Sequence, residues 1–126
     1  MGHPIAMEIF RATDAETKTR KGYLASYLAD VDLAEQVESL GFIAVSIERG
    51  TKTAPHLHRE LTELFVALSP LTMTVGGTPF KLEPNDIVVA APGESHVFEA
   101  PDDQDASMLA IKAPNLKHDK VSLDEN

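Results

Sequence analysis

Residues 51–63 read TKTAPHLHRELTE. His56 and His58 are separated by one residue, and Glu63 follows five residues after the second. Imidazole nitrogen and carboxylate oxygen are hard-to-borderline donors, suited to a divalent transition metal. The chain has no cysteine, so disulfides, thiolate zinc sites and a cysteine nucleophile are excluded, and any metal must be held by nitrogen and oxygen. Side chains alternate along a strand, so two histidines one residue apart share a face, with Cα atoms about 6.5–7 Å apart. Imidazoles at that spacing can lean in to one ion at about 2.0–2.2 Å. Glu63 stands at an odd offset from His58 and would face the other way in an unbroken strand. It joins the histidines only if the chain turns at RELT and Glu63 opens a neighbouring strand.

His96 is the fourth candidate. It follows Gly93 by three residues, at the start of SHVFEA (95–100). A strand beginning there can enter the same interior from another side. Three neutral imidazoles and one carboxylate form an open site that suits one Fe, Mn, Ni, Cu or Zn ion without choosing among them.

These residues need strands to position them, and the chain from Phe42 onward supplies the pattern. FIAVSIE (42–48) alternates, ELFVAL (63–68) is rich in strand formers, and LTMTV (71–75) runs into Gly76-Gly77, a hairpin signal toward PFKLE (79–83). DIVVAA (86–91), SHVFEA and ASMLAIKA (106–113) follow, with Pro84-Asn85 and Pro92-Gly93 as turns. Short strands at this spacing predict an all-β sandwich or barrel. AMEIFRA (6–12) and GYLASYLA (22–29) are further strand candidates. Over residues 30–40, Leu33, Val37 and Leu40 share a helical face, Asp30 or Asp32 can cap it and Gly41 can end it, which predicts a short helix. The charged tail from Lys117 is expected to fray.

The two blocks together resemble the cupins. Gly50, His56, His58 and Glu63 keep the spacing of the first cupin motif. NDIVVAAPGESHVFEA is similar to the second, with Asp86, Gly93 and His96 at matching places. Pro70 stands where the first motif usually ends in glycine, and Asn85 replaces a turn glycine. The resemblance implies a small double-sheeted β-barrel of the jelly-roll type with a metal inside. His56, His58, Glu63 and His96 would be its ligands. It also implies one domain, with a barrel core over 42–113, residues 1–41 packing on it and a polar tail over 114–126. Small cupins commonly pair, so a homodimer is expected, with the strands in residues 5–29 as the contact.

Counting by twos from Glu63 and His96 puts Phe65 and Phe98 on the metal side; Met73, Met108 and Tyr27 are further candidates for a pocket wall. Arg49 and Lys52 fall at a strand end and loop, Arg59 turns away from the face of His58, and His118 belongs to the solvated tail. A chamber with few fixed positive charges and an apolar wall follows, which favours a neutral or aromatic substrate. The function expected is a metal-dependent enzyme on a small organic substrate. A dioxygenase is placed ahead of isomerase, lyase or cyclase chemistry, with Glu63 able to serve as base. A non-catalytic small-molecule-binding or structural cupin is the alternative.

Composition sets the outer limits. At 126 residues, 43% hydrophobic and 25% charged, the chain can bury the core of one domain. A net charge of -9 repels phosphate backbones, so nucleic acid is not an expected partner. No apolar run reaches the roughly 18 residues of a membrane helix. MGHPIAMEIF lacks the charged and apolar regions of a signal peptide, so a cytoplasmic protein is expected.

Overall fold

Alternating apolar residues become alternating buried residues. In the computed structural model, which describes residues 7–33 and 36–123, Glu63, Phe65 and Ala67 of one strand point inward, as do Leu71, Met73 and Val75 of the next. Among the described residues twelve strands form: β1 Glu8–Phe10, β2 Glu16–Arg20, β3 Tyr23–Tyr27, β4 Gly41–Ile47, β5 His56–His58, β6 Thr62–Ala67, β7 Leu71–Val75, β8 Thr78–Leu82, β9 Ile87–Ala90, β10 His96–Glu99, β11 Ala106–Ala113 and β12 Lys120–Ser122. Two five-stranded antiparallel sheets, β1-β9-β6-β11-β4 and β12-β5-β10-β7-β8, enclose a shared core. This is a small double-sheeted β-barrel of the jelly-roll type. The hairpin β2-β3 pairs with neither sheet.

The turns follow from their residues. Val75 pairs with Thr78, leaving Gly76-Gly77 as a two-residue loop with φ of 56° and 88°. Positive φ at both positions is the primed turn that matches strand twist, and only glycine takes it without strain. Asn85 also has positive φ, 75°, as expected of the residue best able to replace glycine there. The next residue, Asp86, is buried and accepts hydrogen bonds from the N–H of Glu83 and Ala12 and from Arg11 Nη1, each at 2.8 Å. Burial pushes the Asp86 carboxyl up, but these donors and the Arg11 charge outweigh it and hold the carboxyl below its usual range. One side chain thus ties the β8–β9 turn to the segment after β1.

Two expectations are corrected. The predicted helix over 30–40 is absent from the described residues 30–33 and 36–40; Ala34 and Glu35 lie outside them. Eleven residues with two aspartates, a serine and two valines nucleate a helix poorly without a surface to pack on. Leu33 and Leu40, two of the three residues of the supposed face, are exposed. The tail does not fray at Lys117: Lys120, Val121 and Ser122 pair with His58, Leu57 and His56. That pairing covers the outer edge of the strand carrying two candidate ligands.

Candidate metal centre

β5 carries His56 and His58, β6 begins one residue before Glu63, and β10 begins at His96. His96 is paired directly with His56 across the β10–β5 ladder. The turn over residues 59–61 reverses the parity problem of the odd offset, so Glu63 enters from the opposite sheet and meets the histidines across the barrel. Asp119 holds that turn. Its Oδ2 accepts the N–H groups of Glu60 at 2.9 Å and Leu61 at 3.0 Å, and its backbone carbonyl accepts from Arg59 N–H at 3.2 Å. Gly93 N–H donates to His58 O at 2.7 Å, fixing the other side of the strand.

The four side chains converge. His58, Glu63 and His96 are buried, and His56 is half-buried. His96 Nε2 lies 2.9 Å from His56 Nε2, while Glu63 Oε1 lies 2.9 Å from His58 Nε2 and 3.4 Å from His96 Nε2. One donor atom from each residue falls within 4.8 Å of all the others. Bonds of about 2.1 Å meeting at right angles place neighbouring ligand atoms roughly 3.0 Å apart and opposite ones roughly 4.2 Å apart. The observed spacings match that pattern. Glu63 Oε1 is buried without a well-formed hydrogen bond, although two ring nitrogens stand beside it. A buried acceptor left in this state is costly unless a cation meets it. The donor set therefore fits a divalent ion, and this cluster could hold one.

Electrostatics prepare the ligands in their binding forms. Burial first, then the neighbouring His96, lower the His56 pKa to about 4. Burial also lowers that of His58, against the opposing pull of Glu63. Burial pushes the Glu63 carboxyl up, but its contact with His96 and the surrounding imidazoles outweigh this and hold it below the usual range. Neutral imidazole and ionised carboxylate are the forms that bind metal.

Beneath the centre lie two rings. Phe65 stands 5.1 Å from the His96 ring and 5.1 Å from Phe98, which is 5.6 Å from His96, all measured between centroids. Met73 pairs with Phe98 one strand over, and Met108 pairs with Ala67; both methionines are buried deeper in the core. Tyr27 is not brought to the centre. It lies exposed on the β2-β3 hairpin, and its hydroxyl accepts from Arg20 Nη2 at 2.7 Å. Arg49 is exposed and pairs with Asp105 at 3.3 Å, while Arg59 and His118 are exposed.

Two lysines stand at the ligand end of the barrel, Lys112 half-buried and Lys120 exposed. Lys112 sits directly opposite Glu63 in the β11–β6 ladder, and residues directly opposite share a face. Lys120 sits opposite His58 in the same way. Counting by twos from Met108 reaches Lys112, so parity alone could have found it. Nothing in the sequence announces that Lys120 belongs to a strand.

The family model described as Cupin domain matches residues 44–112. Among solved structures, the oxalate decarboxylase of Bacillus subtilis, described with Mn(II) centres, is similar at 23% identity with a TM-score of 0.60, over 68% of this chain and 24% of that one. A cupin protein from Bacteroides fragilis is similar at 20% identity and a TM-score of 0.57, over 78% of this chain and 91% of that one. A salicylate 1,2-dioxygenase from Pseudaminobacter salicylatoxidans is similar at 17% identity and a TM-score of 0.55, over 60% and 21%. This chain spans about a quarter of the length of the decarboxylase. Likeness at these identities shows a common fold. No curated protein matches in sequence.

Proposed function

The chain belongs to the cupin family, and from that premise we propose that it is a metal-dependent enzyme acting on a small organic molecule, with a dioxygenase as the first reading. The observation that carries the proposal is the convergence of His56, His58, Glu63 and His96 around a buried carboxylate oxygen that lacks a well-formed hydrogen bond. A bound divalent ion would supply positions for substrate and dioxygen if redox-active, or polarise a carbonyl if not. The relatives perform different reactions on one fold, so the reaction is decided at the site rather than by the fold.

The chain's own residues support turnover in three ways. His56 is the half-buried member of the set, so the centre opens toward solvent on its side. Phe65 and Phe98 close the floor with apolar rings, which excludes water from the buried side. Glu63 is held ionised, so its carboxylate can accept a proton from a substrate, with a lowered pKa that makes it a weak base.

The test is elemental analysis of protein purified without a tag or chelator, beside His56→Ala. One equivalent of transition metal, lost in the variant, is the expected result. Dioxygen consumption by the iron form over a substrate panel then supports the dioxygenase. Turnover without dioxygen points to isomerase, lyase or cyclase chemistry. Ligand binding with no product under either condition leaves the non-catalytic binding cupin, and absence of metal in the unmodified protein overturns the proposal.

A further inference from the structure

We infer that the rim of the barrel beside the metal centre is a carboxylate-binding site, with Lys112 and Lys120 as its counter-charges. This deepens the function proposed above and rests on it for the catalytic role of the site. Four observations lead there.

The register places Lys112 on the inward side of β11 at the ligand end of the barrel and Lys120 at the exposed rim of the same end. Lys112 shares its tier with Glu63 on one neighbouring strand and with Gly41 on the other. Lys120 shares its tier with His58. The two lysines come from different sheets, so they approach the centre from opposite walls. Both are close enough for their charges to act on the ligands, Lys112 on His58 and Lys120 on His56.

Neither lysine has an ion-pair partner among the described residues, although Glu63 is Lys112's direct neighbour in the ladder. In a chain with 20 acidic and 11 basic residues, two unpaired ammonium groups on one rim are a local reversal of sign. Lys112 is half-buried, so its charge is less screened than that of a surface lysine.

Gly41 completes the wall. A Cβ there would overlap the side chain of Asn115, so the missing side chain is what lets the Asn115 amide sit over the strand beside Lys112. The rim therefore offers point charges and an amide. Phosphate sites commonly draw on helix N-termini or glycine-rich runs of N–H donors. This rim has no helix beside it among the described residues. Two ammoniums alone would also accept a phosphate, but the Phe65 and Phe98 rings of the floor suit a planar aromatic carboxylate better than a tetrahedral dianion.

The experiment is calorimetric titration of the purified, metal-loaded protein with benzoate, benzamide and inorganic phosphate, alongside Lys112→Met, Lys120→Met, Lys112→Arg and the remote control Lys81→Met. Benzoate is expected to bind at least tenfold more tightly than benzamide. Each methionine variant should lose roughly tenfold for benzoate and little for benzamide, as removal of a charged hydrogen-bond partner does. Lys112→Arg and Lys81→Met should retain binding, and metal content should be unchanged throughout. Equal affinity for benzoate and benzamide overturns the inference. So does unchanged benzoate binding in both methionine variants, which would leave the metal as the sole anion site, and so does tighter binding of phosphate. Metal content separates the two proposals: protein that binds no metal yet prefers benzoate through its lysines refutes the metal enzyme and retains the anion site.

Discussion

Glu63 Oε1 faces two imidazole nitrogens at 2.9 Å and 3.4 Å. Replacing it with glutamine keeps shape and removes charge. Glu63→Gln is expected to lower metal affinity by roughly 100-fold or more while the chain stays folded, with affinity read by competition against a chelator and folding by far-UV circular dichroism. The histidines set the pH behaviour. From residue type alone, metal affinity should fall below roughly pH 6. Burial changes that, because the His56 pKa is lowered to about 4. Protons then compete with the ion at His56 near pH 4, and His58 is shifted in the same direction. The apo fold responds too. Between the unfolded value of 6.5 and about 4, the unfolded chain takes up a proton at residue 56 that the folded chain refuses. Apo stability is therefore expected to decline as pH falls through that window and to lose nothing further from His56 below it. Metal retention on dialysis measures the first effect, and denaturant melts of apo protein from pH 7 to pH 3.5 measure the second. Full release of metal by pH 5.5 would contradict the burial of these rings.

At the scale of elements, the turn between β5 and β6 decides whether a site exists at all. Asp119 holds that turn through two hydrogen bonds from its N–H groups. Asp119→Ala leaves the buried N–H of Leu61 without its partner and is expected to cost about 2–4 kcal/mol and to weaken metal binding at least several-fold. Chemical denaturation of the apo protein and metal competition read the two losses separately; a variant with wild-type stability and affinity would show that the turn holds itself. Asn85 offers a smaller test. Asn85→Ala keeps a Cβ in the left-handed position but removes the short polar side chain that makes it tolerable, and should cost about 1 kcal/mol, whereas Asn85→Gly should not.

The elements differ in how readable they were. LTMTV and ASMLAIKA match β7 and β11 residue for residue, the first because alternation and Gly76-Gly77 agree, the second because the polar PDDQD loop and Pro114 bound an apolar run. ETKTR (16–20) has no apolar alternation, and its strand exists only through pairing with β3. β12 is equally silent, since three residues in a charged tail carry no period. The four candidate ligands were legible because their spacing and the flanking glycines reinforce one another. Asp119 and Lys120 were not, because their places depend on a pairing with β5 that no local pattern encodes.

Across the whole molecule, two surfaces stand out. Tyr23, Leu24 and Tyr27 are exposed on a hairpin that pairs with neither sheet, and isolated hairpins are marginal in water. β4 ends one sheet with a free edge and exposes Phe42 and Ile43. A free apolar edge invites pairing with another chain. A homodimer is the expected state, with light scattering as the measure and Phe42→Glu expected to shift it toward monomer. A single monomeric mass up to high micromolar concentration would rule that out. Removing the core ring Phe65 by Phe65→Ala should cost about 3–5 kcal/mol, since it is 1% exposed and carries the floor of the centre.

The clasp of β12 on β5 joins segments far apart along the chain. During synthesis His56 and His58 leave the ribosome well before the strand that clasps them has been made. Nascent protein thus passes through an interval in which two imidazoles are available to any passing cation, with neither their carboxylate clamp seated nor their outer flank closed. Any ion that the finished cage would hold is consequently open to kinetic control by cellular supply during that interval, as well as to the equilibrium preference of the site.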